Sequence, residues 1–193
     1  MKPLNTYIKE KLIINKNYKR TYTYVPKSWN ELRKIIEQRY KEQGPGTEQN
    51  PIDFNDIDVS KIDSFYNRTI GIFEGTKFEY IDISNWDVSN IKDMPYMFYE
   101  CEQLISVGDL SNWDISNVKY INNMFDDCEN LESVGDLSRW NVQRVKNMRS
   151  MFRYCSNLKS VGDLSKWNIS NVEDMSSMFD NSGITNIPNW YKK

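Results

Sequence analysis

Histidine is absent from all 193 residues. That removes the commonest general base, the Ser–His and Cys–His nucleophile pairs, and every imidazole metal ligand. Cysteine is sparse: Cys101, Cys128 and Cys155 stand alone, each 27 residues from the next. Such spacing does not suit a zinc site, and an odd count does not make a disulfide framework, so reduced thiols are expected. No apolar run is long enough to cross a membrane. Met1 to Glu10 carries nothing like a secretion signal, which makes a cytoplasmic location the expectation. Phosphate-cradling glycine loops of the P-loop and dinucleotide types are also missing. With no acid, base and nucleophile set in sight, the chain reads as a protein that is not an enzyme and needs no cofactor or metal.

What fills the sequence instead is repetition. Asp82-Ile-Ser-Asn-Trp86 recurs as Asp109-Leu-Ser-Asn-Trp113, Asp136-Leu-Ser-Arg-Trp140 and Asp163-Leu-Ser-Lys-Trp167, with tryptophans 27 residues apart. The pairs Met97-Phe98, Met124-Phe125, Met151-Phe152 and Met178-Phe179 keep that period, as do the cysteines, with Ser182 in the fourth slot. A period this strict signals a solenoid. A worn copy precedes these, since Ile57-Asp-Val-Ser-Lys-Ile62 parallels Trp86-Asp-Val-Ser-Asn-Ile91. The tryptophans, Met-Phe pairs, leucines and cysteines are expected as buried columns, the cysteines serving as small apolar groups.

Local patterns divide each copy. Val118, Ile121, Met124, Phe125 and Cys128 follow helical spacing, and helix starts are expected at Asp93, Tyr120, Asn147 and Asp174. Pro95 then falls in a first turn, where a missing amide hydrogen costs little. Short parallel strands are expected near Ser106-Val107, Ser133-Val134 and Ser160-Val161. Ile184, Ile187 and Trp190 are expected to cover the last coil, where Pro188 blocks further pairing.

Residues 1–50 form a basic head distinct from the repeats at 51–193, whose C-terminal cap is 182–193. Residues 1–43 carry 11 Lys/Arg against 4 Asp/Glu, leaving 14 against 23 for the rest. A short helix over 4–12 and a strand over Arg20–Val25 are expected. Ser28-Trp-Asn-Glu31 is a capping box opening a helix over 28–43, with Leu32, Ile35, Ile36, Arg39 and Tyr40 at helical spacing and Gly44 as its stop. This helix is expected to cap the first repeat.

The pattern DLSxW(D/N)(V/I)SNV…M..MF..C.NL..VG resembles the BspA-like leucine-rich repeats of bacterial surface proteins and lipoproteins, over about residues 57–190. The resemblance implies an α/β solenoid: a right-handed, leucine-rich-repeat-like coil of about five 27-residue repeats, with short parallel strands, short helices and an N-terminal α/β cap. It also implies protein–protein contact, often adhesion.

Repeat-variable surface residues mark the candidate partner site. Glu132, Arg139, Arg144, Arg149, Lys159 and Lys166 are chosen because they vary in the columns Ile105/Glu132/Lys159, Asn112/Arg139/Lys166 and Asn117/Arg144/Asn171, or lack an aligned acid. Arg153 aligns with Asp126 and Asp180, an exposed ion pair contributing about 0–1 kcal/mol. The column Asp82, Asp109, Asp136 and Asp163 has two readings, a calcium ladder or side chains accepting amides of their own turns; the second is favoured. The leading function is a non-catalytic interaction module. A narrower version is a phage- or plasmid-encoded, anti-CRISPR-like inhibitor in the host cytoplasm that occludes a defence nuclease. Another is an adhesion or virion-associated protein. A further class is nucleic-acid binding by Lys9, Lys11, Lys16, Lys19 and Arg20 with Tyr18, Tyr22 and Tyr24, which is not favoured over a packed cap.

Overall fold

In the computed structural model, residues 21–192 are described. The helix expected over 4–12, and the basic residues up to Arg20 with Tyr18, lie outside them.

Stacked side chains hold the repeats in register. Trp113, Trp140, Trp167 and Trp190 form a file with ring centroids 6.5, 6.5 and 6.4 Å apart and neighbouring planes within 14° of parallel. Phe73, Phe98, Phe125, Phe152 and Phe179 form a second file at 5.1–5.9 Å. Trp86 packs on Phe65 and Phe73, because the irregular first copy carries Ile57 at the tryptophan position and offers no indole to stack on. Burying each such ring contributes roughly 1.5–3 kcal/mol, which makes the single continuous core sufficient without cross-links.

The segments expected to be helical are consecutive turns. Their amides do not reach back four residues. Met94, Tyr96, Phe98 and Glu100 donate instead to Tyr120, Asn122, Met124 and Asp126 of the next copy, at 2.8–3.0 Å. The same ladder runs from Ile121, Asn123, Phe125 and Asp127, and again from Met148, Ser150, Phe152 and Tyr154. Aiming every second amide forward requires left-handed residues within each stretch, such as Asn123 (φ 55°) and Asp127 (φ 61°). No α-helix accommodates them. Asp93, Tyr120, Asn147 and Asp174, expected as helix caps, are partners in parallel bridges between copies. Pro95 is tolerated because its position is not a rung of the ladder.

The expected strands shrink as well. Ser106 and Ser133 pair as single parallel bridges. Among the described residues, named strands are limited to β1 (Ile52–Asp53) and β2 (Ile81–Asp82), parallel with Ile52 opposite Ile81. Gly108, Gly135 and Gly162, at φ 82–85°, end the extended backbone two residues past the serines. The repeat is therefore built of turns and bridges rather than regular elements.

Helix α1 spans Trp29–Gln43, with the Ser28 hydroxyl accepting from the Glu31 amide and the Gly44 amide donating to the Tyr40 carbonyl. Glu31 accepts from the Lys27 amide at 2.8 Å, one residue earlier than a capping box would place it. Leu32 and Ile36 enter the repeat core while Ile35 is half-buried. Two basic residues of the helix are anchors. Arg39 is buried, grips both Asp56 oxygens at 2.6 and 2.7 Å, donates to the Asp53 carbonyl, and lies over the Tyr24 and Phe54 rings. Arg33 donates to the Ile72 carbonyl at 2.8 Å. Among the described residues of the strand expected before Pro26, Tyr24 forms a single bridge, with Ile57, and the Thr23 amide donates to the Asp56 carbonyl.

At the other end Trp190 arrives 23 residues after Trp167 yet completes the indole file. Tyr191 meets Phe179 edge-on, and Ile184 is buried. Ile187, expected to help cover this end, is exposed.

Candidate partner-binding surface

Each copy's buried polar atoms are committed to its neighbours. The indole N–H of Trp113, Trp140 and Trp167 donates to the carbonyl of Ile83, Leu110 and Leu137 in the preceding copy, at 2.9–3.2 Å. The thiols of Cys101, Cys128 and Cys155 donate to the carbonyls of Phe73, Phe98 and Phe125 at 2.9–3.1 Å. They are therefore donors and not merely small apolar groups. Burial pushes the Cys101 thiol up to about 11 and raises the Cys128 and Cys155 thiols well above their ordinary value, which leaves them unreactive at neutral pH. Among the described residues every buried side-chain nitrogen and oxygen has a hydrogen-bond partner.

The aspartate column behaves as a set of turns. Asp82, Asp109, Asp136 and Asp163 each accept the amide two residues on, at 2.9 Å. Those bonds hold the carboxyls of Asp136 and Asp163 below the ordinary aspartate value. Among the described residues no three His, Cys, Asp or Glu side chains are grouped to hold a metal ion.

The six residues singled out by variability are all exposed, and two of them, Glu132 and Arg144, line different grooves. Arg139 and Lys166 end two short 3-10 turns, Leu137–Arg139 and Leu164–Lys166, beside the aspartates that open them. Each helps hold its aspartate's pKa down. Arg149 acts in the same sense on Asp174 of the next copy, so alignment alone hid its acidic neighbour. Glu132 lines an open groove with Glu48, Tyr80 and Asp82, where desolvation and then Glu48 and Glu132 raise the Tyr80 hydroxyl above 10.0. Lys159 does not line that groove.

Arg144 is the residue around which other groups converge. Its guanidinium donates to Asn117 Oδ1 at 2.9 Å. It lines one open groove of about 350 Å³ with Lys119, Lys146, Asn171 and Glu173. It shares an adjoining groove of about 380 Å³ with Ser116, Asn117, Asn141, Gln143 and Asn171. Lys119 and Asn141 were missed because each was read inside its own copy. The signal was the file Lys92, Lys119 and Lys146, at the repeat spacing.

A fourth open groove, of about 670 Å³, has a tyrosine wall in which Tyr66 and Tyr96 stack at 5.7 Å. Its acids are partly neutralised: Asp63 pairs with Lys92 at 3.2 Å, and burial raises the Asp93 carboxyl.

Comparison with known proteins adds the following. Residues 52–190 match the family model described as "Mycoplasma protein of unknown function, DUF285". Curated proteins give no match. Among solved structures, a leucine-rich repeat protein from Eubacterium ventriosum is similar at 22% identity, over 63% of this chain and 36% of that one, with a TM-score of 0.39. The chain thus spans about a third of that protein's length.

Proposed function

The chain belongs to the DUF285 family, and on that premise we propose that it is a non-catalytic protein-binding module that uses its repeat-variable surface. One observation carries this reading: the buried donors and acceptors are used up between copies, while the residues that change from copy to copy point outward. Inward positions are thereby fixed by packing. Outward positions are left to a partner, as in stacked-repeat proteins generally. The finer architecture proposed is a right-handed, leucine-rich-repeat-like solenoid, supported by the motif and by files of rings at 5–6.5 Å.

The test is capture of a protein partner by the full chain and by a variant carrying Arg139→Glu, Arg144→Glu and Lys166→Glu. Loss of capture with an unchanged unfolding midpoint is expected. Capture unchanged by all three reversals excludes this surface. The partner's nature separates the narrower roles: a nuclease losing activity at an equimolar ratio makes the protein an inhibitor, whereas cell-surface material makes it an adhesin.

A further inference from the structure

We propose that the groove centred on Arg144 receives a short carboxylate-bearing segment of a partner protein. The inference rests on the protein-binding reading and adds the partner's chemistry.

The first observation is a break in a structural ladder. Four residues after the tryptophan, Asn90, Asn117 and Asn171 each donate a side-chain N–H to a carbonyl of the preceding copy, at 3.3, 2.8 and 2.7 Å. Arg144 stands at the same register. It gives up that carbonyl bond, uses one N–H on Asn117 Oδ1, and brings a guanidinium whose remaining donors suit a planar carboxylate.

A second observation concerns charge removed without structural need. The residue after each tryptophan caps its own turn: Asp87 and Asp114 accept an amide at 3.1 and 3.0 Å, and Asn141 and Asn168 accept the equivalent amide at 3.2 Å. The backbone bond is kept by acid and amide alike. The change from Asp to Asn therefore leaves the turn intact and takes a carboxylate away from Arg144, with which Asn141 shares a wall.

Third, the basic stretch is short. Lys119 and Lys146 flank Arg144, but Asp114 lies one copy before it and the Asp63–Lys92 pair two to three copies before it, while Glu173, which lines the groove itself, is held by Lys146 at 2.8 Å. A long phosphate backbone lying along the stack would meet these acids. A compact acidic loop would meet only Glu173, already paired with Lys146, and this favours protein over nucleic acid.

The experiment uses the full chain and three fluorescent probes: hexaglutamate, hexaglutamine and a short single-stranded oligodeoxynucleotide, read by anisotropy at low salt. Hexaglutamate is expected to bind more tightly than both other probes. Arg144→Glu should weaken it about tenfold and Asn141→Asp about threefold, neither shifting the urea midpoint. Hexaglutamate binding no tighter than hexaglutamine, or unaffected by both variants, overturns the proposal. So does tighter, Arg144-dependent binding of the oligonucleotide, which would assign the groove to nucleic acid. A protein captured by the chain whose binding survives Arg144→Glu and Asn141→Asp overturns this inference alone; capture of no protein overturns the reading beneath it.

Discussion

Removing the Arg153 guanidinium is expected to cost more than almost any other change at a position reachable by solvent. Arg153 binds Asp126 through two parallel bonds, Nε to Oδ1 and Nη2 to Oδ2, both 2.8 Å. The arginine side chain is 35% exposed, but the Asp126 side chain is 0% exposed. Alignment of the copies foresaw the pair and valued it as a surface contact of about 0–1 kcal/mol. Burial of one partner changes the magnitude. In Arg153→Met the carboxylate keeps only the Asn123 amide, at 2.7 Å, and remains covered by the methionine. Stranding a buried charge in this way costs about 3–5 kcal/mol.

The assay is urea unfolding followed by tryptophan fluorescence. With a slope of roughly 2 kcal/mol/M, that loss moves the midpoint down by about 2 M. The companion variant, Asp126→Asn with Arg153→Met, removes the charge as well and should recover most of the loss, because neutral replacement of a buried pair costs little. A single variant within about 1 kcal/mol of the parent would refute the reasoning. So would a double variant no more stable than the single one.

Other consequences are as direct. Gly135→Ala places a methyl group against the Asp109 carboxylate at φ 84° and should destabilise by more than about 2 kcal/mol, whereas Gly75→Ala, with open space at φ 65°, should cost only about 1 kcal/mol; thermal melts compare them. The three thiols should not react with a disulfide reagent at pH 8 in the folded protein and should all react in denaturant; fast native labelling would contradict their burial. The depressed carboxyls of Asp114, Asp136, Asp163 and Asp174, held down by bonds from Ser116, Ser138, Ser165 and Ser176, supply stability that is full above the ordinary 3.8 and lost below it. Glu74, Asp93 and Asp127, raised first by burial, act in the opposite sense, because the folded chain takes up their protons first. The melting temperature should therefore hold or rise from pH 7 to about 5 and fall below about 4; a steady decline starting at pH 6 would show that these groups do not govern it.

The columns were legible because a strict period leaves packing one solution: an indole that recurs every 27 residues has another indole as its neighbour. Helix α1 was legible for a different reason. Its cap, apolar face and stop are all local, and each agrees with the others. The backbone between the columns was not legible. Val118, Ile121, Met124, Phe125 and Cys128 fit a helix, but the same spacing serves a turning chain whose amides reach the next copy. Periodicity reports which side chains are inside, not where amides point. Tyr96 and Tyr154, left-handed at φ 57° and 58°, carry no residue-type sign of it, since only Asn or Gly would have announced the turn. The candidate surface was half legible. Variability points to Arg144 and Glu132, but only stacking shows which side chains of other copies share a groove with each.

The direction of the bonds explains why surface and core separate so cleanly. Backbone amides such as those of Phe98 and Phe125 donate forward, to Met124 and Met151. Side-chain donors point the other way, Trp140 to the Leu110 carbonyl and Cys128 to the Phe98 carbonyl. Every junction is thus stitched from both sides, and a change to an inward residue disturbs two junctions at once. Stability is then a sum over neighbouring copies, with none of them stable alone. Outward residues add weaker, solvent-exposed bonds to that sum, such as those of Asn117 and Asn171 to the preceding copy. The turn after the tryptophan keeps its amide bond with Asp114 as it does with Asn141, so this position can lose its charge without losing the turn. A turn that keeps its amide bond through either Asp or Asn can drop a charge one copy at a time, and beside Arg144 this chain has done so.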